Sequence, residues 1–219
     1  MKQLIFICLL FSSSLINAQQ VLSVDLDKIK TITEDIASEN YYPSLLSRFE
    51  KFDTTLTAKQ MHFLYYGKFH QPFYDPSSYY LEREKMYDLI KEKDYKTALE
   101  HGKLAFNEDP LDLRTLFGLY LCNQQLLLLK DAENYEFLYY ALVGTILQTG
   151  SGKNANEAFV VMNTTDEQEI ISSIGKKVKK FKTVKRTTDC FKFEKSEDKV
   201  LNKIKKLYFN KEIPLMKEQ

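Results

Sequence analysis

Few residue types in this chain stand where they could do covalent or metal chemistry. There are three histidines, His62, His70 and His101. None is three or four residues from another, the spacing that puts two imidazoles on one metal from a single helix. They read as surface or capping residues. Gly150-Ser151-Gly152-Lys153 has the glycines and lysine of a phosphate-binding loop, whose backbone amides surround phosphates. The position five before Gly152 is Leu147, Lys153 is followed by Asn154 instead of Ser or Thr, and a helical pattern precedes it where a strand is required. This stretch therefore reads as a turn. Glu82, Glu84, Glu92 and Asp94 could pair as acid and base, but their spacing is that of a solvated helix face. No serine lies in a nucleophile elbow. No residue stands out as catalytic, metal-binding or cofactor-binding, and no cofactor is implied.

Two groups of side chains point to binding instead. Between Phe63 and Tyr80 eight positions are Phe or Tyr, interrupted by Pro72 and Pro76. Tyr65, Tyr66, Phe73 and Tyr74 could form a stacking platform for a sugar or peptide, since tyrosine offers an apolar face and a polar tip. The competing reading is that these rings plug a join between helical layers. The second group is Lys177, Lys179, Lys180, Lys182, Lys185 and Arg186. If these six lie mostly on one sheet face, with Lys180, Lys182 and Lys185 the candidate ligand-binding residues, they would attract a polyanion such as an acidic glycan or lipid headgroup. Against this, lysine also decorates solvated faces and blunts exposed strand edges.

The elements that must position these groups follow from periodicity. Asp25 to Ala37 places Leu26, Ile29, Ile32 and Ile36 at helical spacing. A short helix over 44–52 follows. Thr57 with Gln60 forms a capping box that starts the next helix, which shows Met61, Leu64, Tyr65 and Phe69 on one side. Leu81 to about Asp94 and Tyr95 to Asn107 make a helical hairpin resembling a tetratricopeptide repeat, with small Ala98, Gly102 and Ala105 where the helices touch. A helix from Leu113 and another over 131–147 form a second, degenerate hairpin.

The pattern changes after Gly150. Ala158 to Met162 is an apolar run that suggests a buried strand, 166–174 a short helix, and 177–188, 190–195 and 205–210 strands of an antiparallel sheet. Phe191 and Phe193 alternate with Lys192, and Leu207 and Phe209 with Lys206 and Tyr208. Pro214 bounds the last strand. The expected fold is α+β, a tetratricopeptide-like helical bundle over 19–148 packed on a small, mostly antiparallel C-terminal sheet with one helix over 149–219.

Residues 1–18 read as a secretory signal peptide, with Lys2, the apolar run Leu4 to Leu10 and a small-residue cleavage site at Ala18. The expected location is periplasmic or secreted, which makes nucleic acid an unexpected partner. The apolar core is too short to span a bilayer, and no later window reaches the length a membrane helix needs. Only Cys122 and Cys190 follow the signal peptide, and they read as two separate buried thiols. Charge is divided. From Gln19 to Gly175 there are 15 Lys and Arg against 24 Asp and Glu, a net of −9; from Lys176 to Gln219 there are 15 against 6, a net of +9.

Several stretches together resemble one family: Asp53-Thr54-Thr55-Leu56-Thr57 followed by Leu64-Tyr65-Tyr66-Gly67, the repeat-like Tyr95 to Pro110, Gly150 to Lys153 leading to Ala158-Phe159, and the closing Leu207-Tyr208-Phe209. They resemble the family known as domain of unknown function 4919. That resemblance implies a small exported bacterial protein, and it implies no activity and no catalytic residues. The expected function is an exported, non-enzymatic binding or scaffolding protein that holds a peptide or protein partner through the helical groove and aromatic connector. Two alternatives are an envelope-associated binder of an acidic polymer through the basic sheet, and a hydrolase acting on an envelope polymer.

Overall fold

The computed structural model describes residues 21–76 and 80–217. The expected signal peptide and its cleavage site lie outside the described residues. Nine helices and four strands are found among them. The helices are mostly N-terminal and the sheet is C-terminal, an α+β fold.

The helices begin where the sequence offers acceptors for their free amides. In α1 (Leu26–Glu34) the Asp25 carboxylate accepts from the Lys28 amide at 3.0 Å. This helix stops before Ile36, which lies beyond its C-terminus and is 81 % exposed rather than on the buried face with Ile29. The helix α2 (Tyr42–Glu50) starts with Pro43 in its first turn, where a missing N–H costs nothing. The expected capping box is present at α3 (Ala58–Gly67). Thr57 N–H donates to Gln60 Oε1 at 3.0 Å and Gln60 N–H to Thr57 Oγ1 at 3.2 Å. A 3-10 turn, Lys68–His70, follows.

Four further helices form two hairpins, α4 (Leu81–Glu92) with α5 (Tyr95–Glu108), and α6 (Leu113–Gln125) with α7 (Leu129–Leu147). Their turns are alike. In the first, Lys93 has φ 66°, its N–H donates to Ile90 O, and Asp94 N–H donates to Leu89 O. In the second, Leu127 has φ 59°, its N–H donates to Gln124 O, and Leu128 N–H donates to Asn123 O. Both are Schellman-type ends with one left-handed residue, and Lys93 and Leu127 are 34 positions apart. Met86 on α4 is wedged between α5 and α6. A Cβ at Gly102 would lie 2.7 Å from its Sδ, and one at Gly118 2.2 Å from its Cε, so both glycines are required for the approach.

The sheet has the order β1-β4-β3-β2, with β1 (Phe159–Val160) parallel to β4 (Lys206–Asn210), and β4 with β3 (Thr188–Phe193) and β3 with β2 (Val178–Val184) antiparallel. It is therefore mixed. The apolar run Ala158 to Met162 is largely buried as expected, but only two of its residues pair. The loop before it is the turn expected at Gly150 to Lys153. Gly152 has φ 63°, and its carbonyl accepts from Tyr208 N–H at 2.9 Å, which extends the β1 edge alongside β4. The helix α8 (Thr164–Ser173) packs against α6, and Tyr139 of α7 donates to its Glu169 carbonyl at 3.2 Å. A last helix, α9 (Glu212–Lys217), holds Pro214 in its first turn rather than at a strand boundary.

One hydrophobic cluster includes Leu45, Leu64, Leu116 and Ile146 from the helices together with Phe159, Ile170, Phe191 and Phe209 from the C-terminal part. Cys122 and Cys190 are both buried and unpaired. No helix among the described residues is long and apolar enough to cross a membrane.

Candidate functional site

In an antiparallel pair, residues directly opposite each other share a face, and successive residues alternate between faces. Phe181, Phe191 and Leu207 form one cross-strand row, and Asp189 and Phe209 belong to the same face. It is closed by ring contacts, Phe181 to Phe191 at 4.9 Å and Phe191 to Phe209 at 5.7 Å. This is the inner face.

The opposite face carries Lys180, Lys192 and Lys206 in a single row across β2, β3 and β4. The next row is Lys182, Cys190 and Tyr208. Lys180, Lys182 and Lys206 are exposed and Lys192 is half-buried. Neighbouring Cβ atoms in such a row are about 5 Å apart. Adjacent ammonium groups at that separation repel by about 1 kcal/mol or less in water, and like charges directly opposite one another are disfavoured in sheets. Four lysines on one small face form a concentrated positive patch.

Lys180 and Lys182 are thus brought together as expected, while Lys185 is not. It lies in the β2–β3 turn with φ 51°, followed by Arg186 at φ 60°, and its Nζ donates to Asn156 Oδ1 at 2.9 Å. Lys192 and Lys206, which sequence reasoning missed, complete the row. Their outward direction is legible in the alternations around Phe191 to Phe193 and Lys206 to Phe209, but their alignment with Lys180 depends on strand register.

The aromatic group has a different place. Tyr65, Tyr66 and Tyr74 are buried, and only Phe73 is open, at 50 % exposure. Tyr65 OH donates to Asp166 Oδ2 at 2.5 Å, Tyr66 OH to Val160 O at 2.8 Å, and Tyr74 OH to Met162 O at 2.5 Å. These three hydroxyls staple the helices to the C-terminal cap, and their rings are covered. The competing reading, that they plug the join between layers, describes them. His62 is buried too, against the surface role expected of it; burial pushes its imidazole down to about 4, and its ring lies 4.8 Å from that of Tyr66.

A cluster of charged groups lies at the N-terminal ends of α4, α6 and α8. Lys68 pairs with Asp109, and Tyr80 OH donates to the same carboxylate at 3.1 Å. Arg83 donates to Asp112 at 3.0 Å, and Asp112 caps α6 by accepting from the Thr115 amide at 2.7 Å. Asp166 closes the capping box of α8. Burial pushes Asp166 up to about 7, Glu167 to about 8 and Glu169 to about 7. Carboxyls in that range suit acid–base chemistry. Here Asp109, Asp112, Asp166 and Glu167 are all buried, and Asp109, Asp112 and Asp166 are occupied in capping and pairing, which is a structural use.

Fold and site together define an α+β protein in which a helical stack is closed by a small sheet with a lysine-lined outer face. The model of the family described as Domain of unknown function (DUF4919) matches residues 27–219, and the chain belongs to that family. No match was found among curated proteins or among solved structures.

Proposed function

We propose that this is an exported, non-enzymatic binding protein that holds an acidic polymer on the outer face of its C-terminal sheet. The cross-strand row Lys180, Lys192 and Lys206 carries this reading, because it gathers like charges at a cost that a bound anion would offset. The charge division supports it, since the +9 region from Lys176 onward is the part that presents the row. The apolar run from Leu4 to Leu10 before Ala18 supports export.

The alternative use of the helical groove, to hold a peptide or protein as tetratricopeptide repeats do, draws support from the two like turns 34 positions apart, the length of that repeat. It has less room. Helix α6 is packed by α8 as well as by α4, α5 and α7, and Tyr65, Tyr66 and Tyr74 of the aromatic group are buried.

Retention on immobilised heparin, compared with neutral dextran, tests the proposal. The protein should elute from heparin at moderate salt and pass through dextran, because exposed ion pairs are screened as ionic strength rises. Passage through both columns at low salt would exclude it.

A further inference from the structure

We infer that the open edge of β2 is a docking strand for an extended acidic polypeptide, which adds to the sheet as a fifth strand. This rests on the acidic-polymer reading of the same face and narrows the polymer to a polypeptide. The two edges of the sheet are built differently. At one, β1 is two residues long, and Gly152 continues that edge by bonding Tyr208 of β4. At the other, β2 runs for seven residues, with β3 on one side and no further strand on the other among the described residues. Every second residue of such a strand turns its N–H and C=O away from its partner, ready for another chain.

Lysine on an edge strand is also the ordinary guard against unwanted pairing. Two features favour docking. Phe181, half exposed and in tilted ring contact with Phe191, leaves an apolar side chain open at the edge, which a guarded strand would not keep. The register is continuous from Lys180 to Val184, because the irregularity falls earlier, between Val178 and Lys180. Those five residues present Lys180 and Lys182 to the outer face and Phe181 to the inner one. A strand laid beside them would meet both lysines with every second side chain and Phe181 with the one between. The matching partner therefore reads acidic, apolar, acidic. A second copy of β2 fits badly, since it would set lysine against lysine. An acidic glycan lacks the peptide-spaced donors and acceptors of a ladder and would be held by charge alone.

Three synthetic peptides with the same Glu and Leu side-chain content test this against the full protein by fluorescence anisotropy. One alternates Glu and Leu, one has the same residues in blocks, and one is the alternating peptide N-methylated at every second amide, on the edge that would pair with β2. The alternating peptide should bind at least tenfold more tightly than either other. Its binding should fall tenfold or more in Lys180→Gln with Lys182→Gln, and in Phe181→Ser, with unchanged circular dichroism for each variant. It should also slow hydrogen exchange in Lys180 to Val184. Equal affinity for all three peptides, or stronger binding of a polyuronate, would overturn the docking strand while leaving the acidic-polymer reading in place. If no peptide binds and heparin is not retained either, both fall.

Discussion

Glu167 is 2 % exposed, and its Oε1 has no hydrogen-bond partner among the described residues. Burial, reinforced by Asp189, holds its proton to about 8, and burial likewise raises Asp166 and Glu169. A carboxyl whose folded pKa is raised binds more protons in the folded state, so stability falls as pH climbs from the unfolded value near 4 toward the folded one. His62, lowered to about 4, acts in the opposite sense between pH 4 and 6.5. Three raised carboxyls outweigh that one imidazole, so the fall runs through pH 6.5, and above it the imidazole no longer opposes it. Thermal melts are expected to show Tm declining from pH 6.5 to 8.5, by an amount equivalent to a few kcal/mol, since each tenfold change in proton affinity on folding corresponds to about 1.4 kcal/mol. Glu167→Gln should flatten that slope and raise Tm at pH 8.5. A second substitution separates packing from binding. Tyr65→Phe removes the donor to the buried Asp166 and should cost about 1–3 kcal/mol in denaturant unfolding, with no change in heparin retention.

At the level of elements, the two hairpin turns make the same demand of unlike residues. Lys93 and Leu127 both adopt a left-handed backbone that costs L-residues roughly 1 kcal/mol and suits glycine. Leu127→Gly and Lys93→Gly should each raise stability by about 0.5–1 kcal/mol in chemical denaturation. Gly118→Ala should lower it by about 1–3 kcal/mol, because its methyl group would strike Met86, and Met86→Val should restore part of the loss. A helix start such as Thr57 is legible in the sequence because a cap is a local hydrogen bond. The end of α1 is not legible in that way, because apolar periodicity runs on to Ile36, past the point where the helix stops at Asp35. The pairing of only Phe159 and Val160 could not be read from an apolar run, which reports burial and not a partner. Tyr65 and Tyr66 are adjacent on a helix with their rings in edge-to-face contact at 4.9 Å, and only tertiary packing decides that both are covered. The lysine row is less legible still. Each strand shows its own outward lysine, but the row exists only through the register of three strands.

Across the whole molecule, the charge divides after α8, with an acidic helical stack, β1 and α8 on one side and the basic strands β2, β3 and β4 on the other. The inner face of the sheet is spent on the core shared with the helices, and its outer face is left with the lysines. Export, a polymer partner and the lysine row form one account, and the row is its central claim. The most direct test is titration of fluorescent heparin with the wild type, with Lys180, Lys192 and Lys206 all changed to Gln, and with a control in which the exposed Lys30, Lys51 and Lys96 of the helical region are changed to Gln. Both variants lose the same total charge. The account predicts that the sheet variant binds at least tenfold more weakly and with a shallower salt dependence, while the control stays within twofold of the wild type. Equal losses in the two variants would contradict it, since binding would then follow net charge and not the row.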